Sequence, residues 1–344
     1  MIFRQLFEPV SSTYTYVLAS RQGGEALIID PVLERIDSYL ELFNRLELRL
    51  VKAVDTHVHA DHITGLGALR DRTKCITVMG RESAVDTVSM RVVDGDSIDI
   101  EGVRLDVIYT PGHTDDSYSF CLADRVFTGD TLLIRGTGRT DFQNGSAEQS
   151  YDSIFNKLLK LPDETLVFPA HDYKGETVST IAEERAFNPR LQVGSVAEYA
   201  NIMNNLGLAN PKMMDVAVPA NVTIGVAQSA EGDDWGLTID QARAWIKNPD
   251  VILIDLREEA ERRKEGVIPG SLQVPYVELN DQVLPSGVLN QLVHGSNKHL
   301  LFYCAYGERS ALAVETARNS GLSDAVHIMG GIDAWKRAGA PLEE

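Results

Sequence analysis

Asp55-Thr56-His57-Val58-His59-Ala60-Asp61-His62 follows directly on the apolar run Leu50-Val51-Lys52-Ala53-Val54, and this junction sets the reading of the chain. His57 and His59 are two residues apart, so in an extended segment both side chains project to the same side. Asp61 and His62 then come from the turn that follows. The same arrangement recurs three times downstream. Pro111-Gly112-His113-Thr114 follows LDVIYT, Thr128-Gly129-Asp130 follows RVF, and Pro169-Ala170-His171-Asp172 follows TLVF. Each time a hydrophobic run of strand length and β-branched content opens into a turn that carries a candidate ligand. Strands of one sheet end at one edge, so these groups converge there. Imidazole and carboxylate together suit a divalent transition metal. Only eight histidines occur in the chain, and five of them fall in these contexts.

Working outward, the first two hundred residues alternate strand-like runs (YTYVLAS, ALIID, CITVMG) with amphipathic stretches at Glu34–Leu46, Tyr151–Leu161 and Val196–Leu206. Mixed strands and helices predict an α/β layered domain over residues 1–206. Residues 207–233, rich in Pro, Gly, Ala and Asn with weak periodicity, predict a linker. From 234 to 344 a new rhythm of buried strands (VILIDL, HLLFYC, AVHIMGG) and helices (Gln241–Lys247, Ser310–Asn319) predicts a second α/β domain with a central parallel sheet.

Composition bounds the function classes. With 344 residues the chain has room for two domains of about 150. Thirty-two Lys and Arg against 50 Asp and Glu give a net charge of -18. That argues against nucleic acid, whose binding depends on neutralising cations, and against an anionic membrane surface. Three cysteines make no disulfide framework and fit a reducing compartment. The N-terminal stretch shows no basic region followed by an apolar one, and no apolar run reaches about 18 residues, so a cytoplasmic location is expected.

One cysteine stands apart. Cys304 ends HLLFY and opens Cys304-Ala305-Tyr306-Gly307-Glu308-Arg309 before a helix. Loop amides and the helix N-terminus would face the sulfur, and Arg309 adds a positive charge, which together favour a thiolate nucleophile. Cys75 and Cys121 sit within apolar runs and read as core. Asp255 and Arg257 read as structural, pinning the cysteine loop from a neighbouring strand.

THVHADH with PGHT, TGD and AHD resembles the metallo-β-lactamase superfamily, which implies an αββα sandwich. In that superfamily His57, His59 and His113 would line one metal site, Asp61, His62 and His171 the other, with Asp130 between. Ile134–Gln143 and AHDYKGETVSTIAEERAFNPRL further resemble the persulfide dioxygenases, a branch near glyoxalase II, over about residues 1–225. This resemblance implies one Fe(II) per chain held by His57, His113 and Asp130. His59, Asp61, His62 and His171 would then form a surrounding shell or an empty second site. It also implies O2 oxidation of glutathione persulfide to sulfite and glutathione. Arg139, Tyr173, Lys174 and Arg190, near the ligand loops, are the candidate substrate-binding residues. LIDLREEAERRKEGVIPGSLQVP, CAYGERS and HIMGGIDAWKRAG resemble the rhodanese family over about residues 236–344. There Cys304 would carry sulfane sulfur between thiosulfate and glutathione, with Arg309 helping to hold it and the anionic donor. The six residues from Cys304 to Arg309 match the sulfurtransferase loop length. Two alternatives stay open at this stage: a dinuclear thiolester hydrolase of the glyoxalase II kind, and a non-catalytic sulfur carrier or sensor. Monomer and homodimer are both compatible with the sequence.

Overall fold

The structure is a computed structural model that describes residues 1–209, 211–225, 235–296 and 298–343. It divides into two compact units, Met1–Asp86 with Arg91–Ile224, and Thr87–Met90 with Gly225–Glu344.

The first unit is built on two six-stranded sheets. One runs in the order β1 (Ile2–Glu8), β2 (Thr13–Ala19), β3 (Glu25–Ile29), β4 (Arg49–Val54), β5 (Ile76–Gly80), β6 (Met90–Val92). The strands β7 (Ser97–Ile100), β8 (Val103–Tyr109), β9 (Tyr118–Cys121), β10 (Arg125–Gly129), β13 (Leu166–Pro169) and β14 (Ser179–Thr180) form the other, in the order β14-β13-β10-β9-β8-β7. Between β10 and β13 in the chain, β11 (Leu132–Leu133) and β12 (Gly136–Thr137) make a small ribbon. β8 shows the period of two directly: Val103, Leu105 and Val107 are buried while Arg104 and Asp106 are exposed. The sheets meet through aromatic side chains. Phe3 and Tyr16 of the first pack on Phe127 and Phe168 of the second at centroid distances of 4.9 to 6.2 Å. The amphipathic helix Ile36–Arg45 buries Ile36, Tyr39, Leu42 and Phe43, and Ser195 caps the helix Val196–Met203.

Strand direction positions the site. β3 and β4 are parallel. β8 and β10 each pair antiparallel with β9, and β10 runs parallel to β13, so β8, β10 and β13 share one direction. Asp30, the Asp55–His62 loop, His113, Asp130 and His171 all follow the carboxyl ends of these five strands.

The second unit carries a five-stranded parallel sheet in the order β15 (Gly236–Leu237), β19 (Val326–Ile328), β18 (His299–Tyr303), β16 (Val251–Asp255), β17 (Leu272–Gln273). Its core gathers Leu253, Leu301, Tyr303, Ile328, Ile332 and Trp335. The helix Glu308–Asn319 begins directly behind Cys304, as the strand-loop-helix pattern predicts.

The linker expected at 207–233 differs from what is observed. Residues 210 and 226–233 of it lie outside the described residues. The helix Met214–Asn221 falls inside it and belongs to the first unit, because buried Asn221 hydrogen-bonds into the His59–Thr64 loop. No helix of the described residues is long and apolar enough to cross a membrane.

Candidate metal centre and cysteine loop

The loop after β4 is held from below by Asp30, whose backbone takes a left-handed φ of 51° at the end of β3. Asp30 Oδ1 accepts from the Thr56 amide at 2.7 Å and from His59 Nε2 at 3.2 Å, while Oδ2 accepts from Thr56 Oγ1 at 3.1 Å. Thr56 Oγ1 in turn accepts from His57 Nδ1 at 2.9 Å. One carboxylate therefore orients both histidines of the His57-Val58-His59 pair and fixes their tautomers. From above, Asn221 Nδ2 donates to the His59 and His62 carbonyls, each at 2.9 Å, and its Oδ1 accepts from Thr64 N at 2.8 Å.

His113 is set by its own loop. Its Nδ1 donates to the Arg139 carbonyl at 2.7 Å, which leaves Nε2 as the lone pair facing Asp130, 3.6 Å from Oδ2. Gly138 makes this approach possible, since a Cβ there would lie 2.2 Å from the Asp130 carbonyl oxygen and 2.7 Å from His113 Nδ1. His57, His113 and Asp130 each bring one ligand atom to a group in which all lie within 4.8 Å.

These residues fit a bound metal. Both histidines direct a bare Nε2 into the group. Burial, together with His59 and His113 nearby, holds the His57 ring well below its ordinary value, in the neutral ligating form. Burial opposes the charge on Asp130, but the His171 ring beside it keeps that carboxyl well below the usual range. His62 Nε2 is buried without a hydrogen-bond partner among the described residues, as a bare ligand atom would be.

His171 behaves differently. Its Nδ1 lies 2.6 Å from Asp130 Oδ1, and its Nε2 lies 2.8 Å from Asp61 Oδ2 and 3.1 Å from Thr13 Oγ1. Burial opposes charge on the ring, but the Asp130 and Asp61 carboxylates outweigh it and raise the ring well above its ordinary value. A second group, His59, Asp61 and His62, also brings its ligand atoms within 4.8 Å of one another. His59 is raised to about 9: burial works against its cation, but the Asp30 carboxylate outweighs it.

A cavity of about 280 Å³ opens over the centre, and Arg139, Tyr173, Lys174 and Arg190 all stand on its wall. Their states differ. The Arg139 guanidinium forks onto Asp141 at 2.6 and 2.7 Å and reaches the Leu208 and Ala209 carbonyls. Arg190 donates to the Thr137 carbonyl and hydroxyl. Tyr173 is 70 % exposed and lies parallel to the His171 ring at 6.1 Å. Lys174 is exposed at the rim.

In the second unit Cys304 is fully buried, and the Gly307 amide donates to its sulfur at 3.1 Å. Arg309 has a partner that the sequence does not point to: its two terminal nitrogens are taken by Glu261 at 2.8 and 2.6 Å, and Nε has no partner among the described residues. Asp255 and Arg257 form a fully buried pair, and the Arg257 guanidinium also reaches the Gly266 carbonyl. Cys75 is buried, and Cys121 is half-buried with its thiol pushed by burial to about 11. Asp30, Asn221 and Glu261 escape a reading of the sequence. Two faint signals existed: an aspartate at the end of ALIID, and the AVPAN stretch.

Residues 9–87 and 91–171 match the metallo-beta-lactamase superfamily, and residues 238–338 match the rhodanese-like domain. The chain is 49% identical over 229 residues to the mitochondrial persulfide dioxygenase ETHE1 of Homo sapiens, covering 66% of this chain and 89% of that one. The Bos taurus counterpart is 48% identical over the same length. Among solved structures, ETHE1 from Myxococcus xanthus superposes with a TM-score of 0.63 at 53% identity, covering 64% of this chain and 98% of that one. A metallo-beta-lactamase from Staphylococcus aureus, at 22% identity and a TM-score of 0.62, covers 96% of this chain and shares the fold.

Proposed function

We propose a function from one premise: the chain belongs to the persulfide dioxygenase family of the metallo-β-lactamase superfamily and carries a rhodanese-like domain. On this reading it is a bifunctional enzyme of sulfur metabolism. The first unit oxidises glutathione persulfide with O2. Written in balance, one persulfide, one O2 and one water give glutathione, sulfite and two protons. His57, His113 and Asp130 would hold a single ferrous iron. Bound there, iron supplies open coordination positions for O2 and for a sulfur ligand, as a two-histidine, one-carboxylate face does.

The chain's own residues do the rest. Asp30 and the Arg139 carbonyl keep the two ligand histidines in the tautomer that presents Nε2. Phe142 stands at right angles to the His113 ring at a centroid distance of 5.7 Å, and both line the cavity. Tyr173, Lys174, Arg139 and Arg190 form the wall against which an anionic tripeptide lies. Because Arg139 is already paired with Asp141, its role is to shape that wall, and Lys174 at the rim is the cation that meets a carboxylate.

The observation that carries the one-metal reading is the group His57, His113 and Asp130, which gathers two imidazoles and one carboxylate at one point, each histidine held from behind through its Nδ1. The alternative, a two-metal thiolester hydrolase, draws on the group His59, Asp61 and His62. There a water bridging the two metals would be the activated group.

The second unit would move sulfane sulfur between thiosulfate and glutathione on Cys304, with the Arg309 charge nearby. A cytoplasmic setting accords with three free cysteines. Protein purified without oxygen and assayed at an oxygen electrode with glutathione persulfide tests the reading. About one iron per chain and one O2 consumed per sulfite are expected. Two metals per chain with thiolester turnover and no O2 uptake would overturn it.

A further inference from the structure

We propose that Ser310 and His327 form a hydrogen-bond relay that stabilises the charged sulfur of Cys304. The proposal rests on reading the second unit as a sulfurtransferase and adds two residues to its machinery.

Three elements bring the groups together. Cys304 follows β18, Ser310 lies in the first turn of the helix Glu308–Asn319, and His327 is the central residue of β19. All three are 0 % exposed. Cys304 Sγ lies 3.7 Å from Ser310 Oγ, and Ser310 Oγ lies 3.2 Å from His327 Nδ1. The same hydroxyl donates to the Gly307 carbonyl at 2.9 Å.

A serine hydroxyl has one proton and two lone pairs, and this fixes the roles. While the O–H points at the Gly307 carbonyl, Ser310 Oγ accepts from the Cys304 thiol on one side and from His327 Nδ1–H on the other. When Cys304 ionises, its proton leaves to solvent and the sulfur becomes an acceptor. Rotation of the serine hydroxyl then aims the O–H at sulfur. The Gly307 carbonyl keeps the Ala311 amide, which donates to it at 3.0 Å. The sulfur gains a second donor beside the Gly307 amide, and His327 holds the serine oxygen in place throughout.

Such a device matters here because the terminal nitrogens of Arg309 are committed to Glu261. The guanidinium acts on the sulfur through space, so direct hydrogen bonds must come from neutral donors, and donors to a buried charge are among the stronger hydrogen bonds. In the transfer itself the Cys304 thiolate attacks the sulfane sulfur of a donor. A new S–S bond forms on Cys304 as the donor's S–S bond breaks, and the leaving anion keeps the electron pair. No oxidant or reductant is needed. Ser310 touches the reacting sulfur before this step and after an acceptor thiolate has removed the outer sulfur. His327 acts through Ser310 as a positioning residue.

The test is the pH profile of iodoacetamide alkylation at Cys304 in the full chain, followed by mass on the Cys304 peptide. Ser310→Ala should raise the midpoint by roughly one pH unit, about tenfold less thiolate at a fixed pH below it. Ser310→Thr, which restores a hydroxyl, should return the midpoint to the wild-type value. His327→Leu should shift it upward, and His327→Asn, whose amide donates from the place of Nδ1, should shift it less. Unchanged midpoints in folded Ser310→Ala and His327→Leu would overturn the relay, as would equal shifts in Ser310→Ala and Ser310→Thr. Sulfur loading from a small persulfide, read as added mass on Cys304, separates the premise. If wild-type Cys304 takes no sulfur while the midpoints move as stated, the sulfurtransferase reading fails and the relay stands.

Discussion

Glu261 determines what Arg309 can do. A guanidinium buried with both terminal nitrogens on one carboxylate is a brace under the cysteine loop before it is a binding group. Burial opposes the Glu261 charge, but Arg309 overrides it and holds the carboxyl below its ordinary value. The sign for stability follows. A carboxyl depressed in the folded state contributes stability that is fully present above its unfolded value of about 4.3 and is lost as pH falls through the lower folded value. Glu261→Gln leaves Arg309 buried and unpaired, so it should cost about 3–5 kcal/mol at pH 7. That difference from wild type should shrink below pH 4.3, where the unfolded wild-type chain takes up a proton on this carboxyl and the folded chain does not until the pH is lower still. Urea unfolding of both proteins at pH 7 and across pH 3–5 checks this, and a difference that stays constant through the acid range would refute the pairing. The six-residue loop was legible in sequence, because the spacing of Cys304 and Arg309 is local. The partner was not: EEAERRKE offers several glutamates, and only the register of the helix Glu259–Glu265 selects Glu261.

The metal loops were legible at the scale of the element because strand chemistry is local. Short β-branched runs ending in Gly, Pro or Thr mark β4, β8, β10 and β13, and parallel strand sense brings their carboxyl ends to one edge. Tautomers and the bridging of His171 were not legible, since they depend on Asp30, the Arg139 carbonyl and Asp61 arriving from distant segments. The helix Met214–Asn221 was hidden for a different reason. Pro219 within it removes a backbone donor, and the flanking Pro, Asn and Gly residues carry the composition of a connector. Its last residue, Asn221, satisfies three backbone groups of the ligand loop. Asn221→Ala would leave the His59 and His62 carbonyls and the Thr64 amide unpaired, a loss of roughly 2–4 kcal/mol. It should also loosen the turn that carries His59, Asp61 and His62. Thermal unfolding with and without added ferrous iron measures both effects. A variant as stable as wild type that also retains full iron content would show the helix to be a passenger.

At the scale of the whole molecule the net charge of -18 and the proposed anionic substrates pull against each other. A field of that sign repels small anions at long range, and salt screens it beyond about 8–10 Å. Recognition must therefore be settled inside each site by groups within contact distance. At the metal centre these are the wall of Arg139, Tyr173, Lys174 and Arg190. At Cys304 they are the Gly307 amide and its neighbours. The two chemistries share no residue, since one uses imidazole and carboxylate at strand ends of the first unit and the other a buried thiol of the second. Two substitutions test that independence. His113→Ala removes one of the proposed iron ligands and should abolish O2 uptake with glutathione persulfide and lower the iron content by at least tenfold. Sulfur transfer from thiosulfate to glutathione should stay within about twofold of wild type, since a site that shares no residue with the metal centre couples weakly. Cys304→Ser, which swaps the sulfur nucleophile for a hydroxyl of similar size, should abolish the transfer and leave iron content and O2 uptake intact. Both variants must show the wild-type unfolding transition for the comparison to hold. Loss of O2 uptake from folded Cys304→Ser would mean that persulfide reaches the iron only by way of Cys304, and loss of sulfur transfer from folded His113→Ala would equally refute the independence of the two sites.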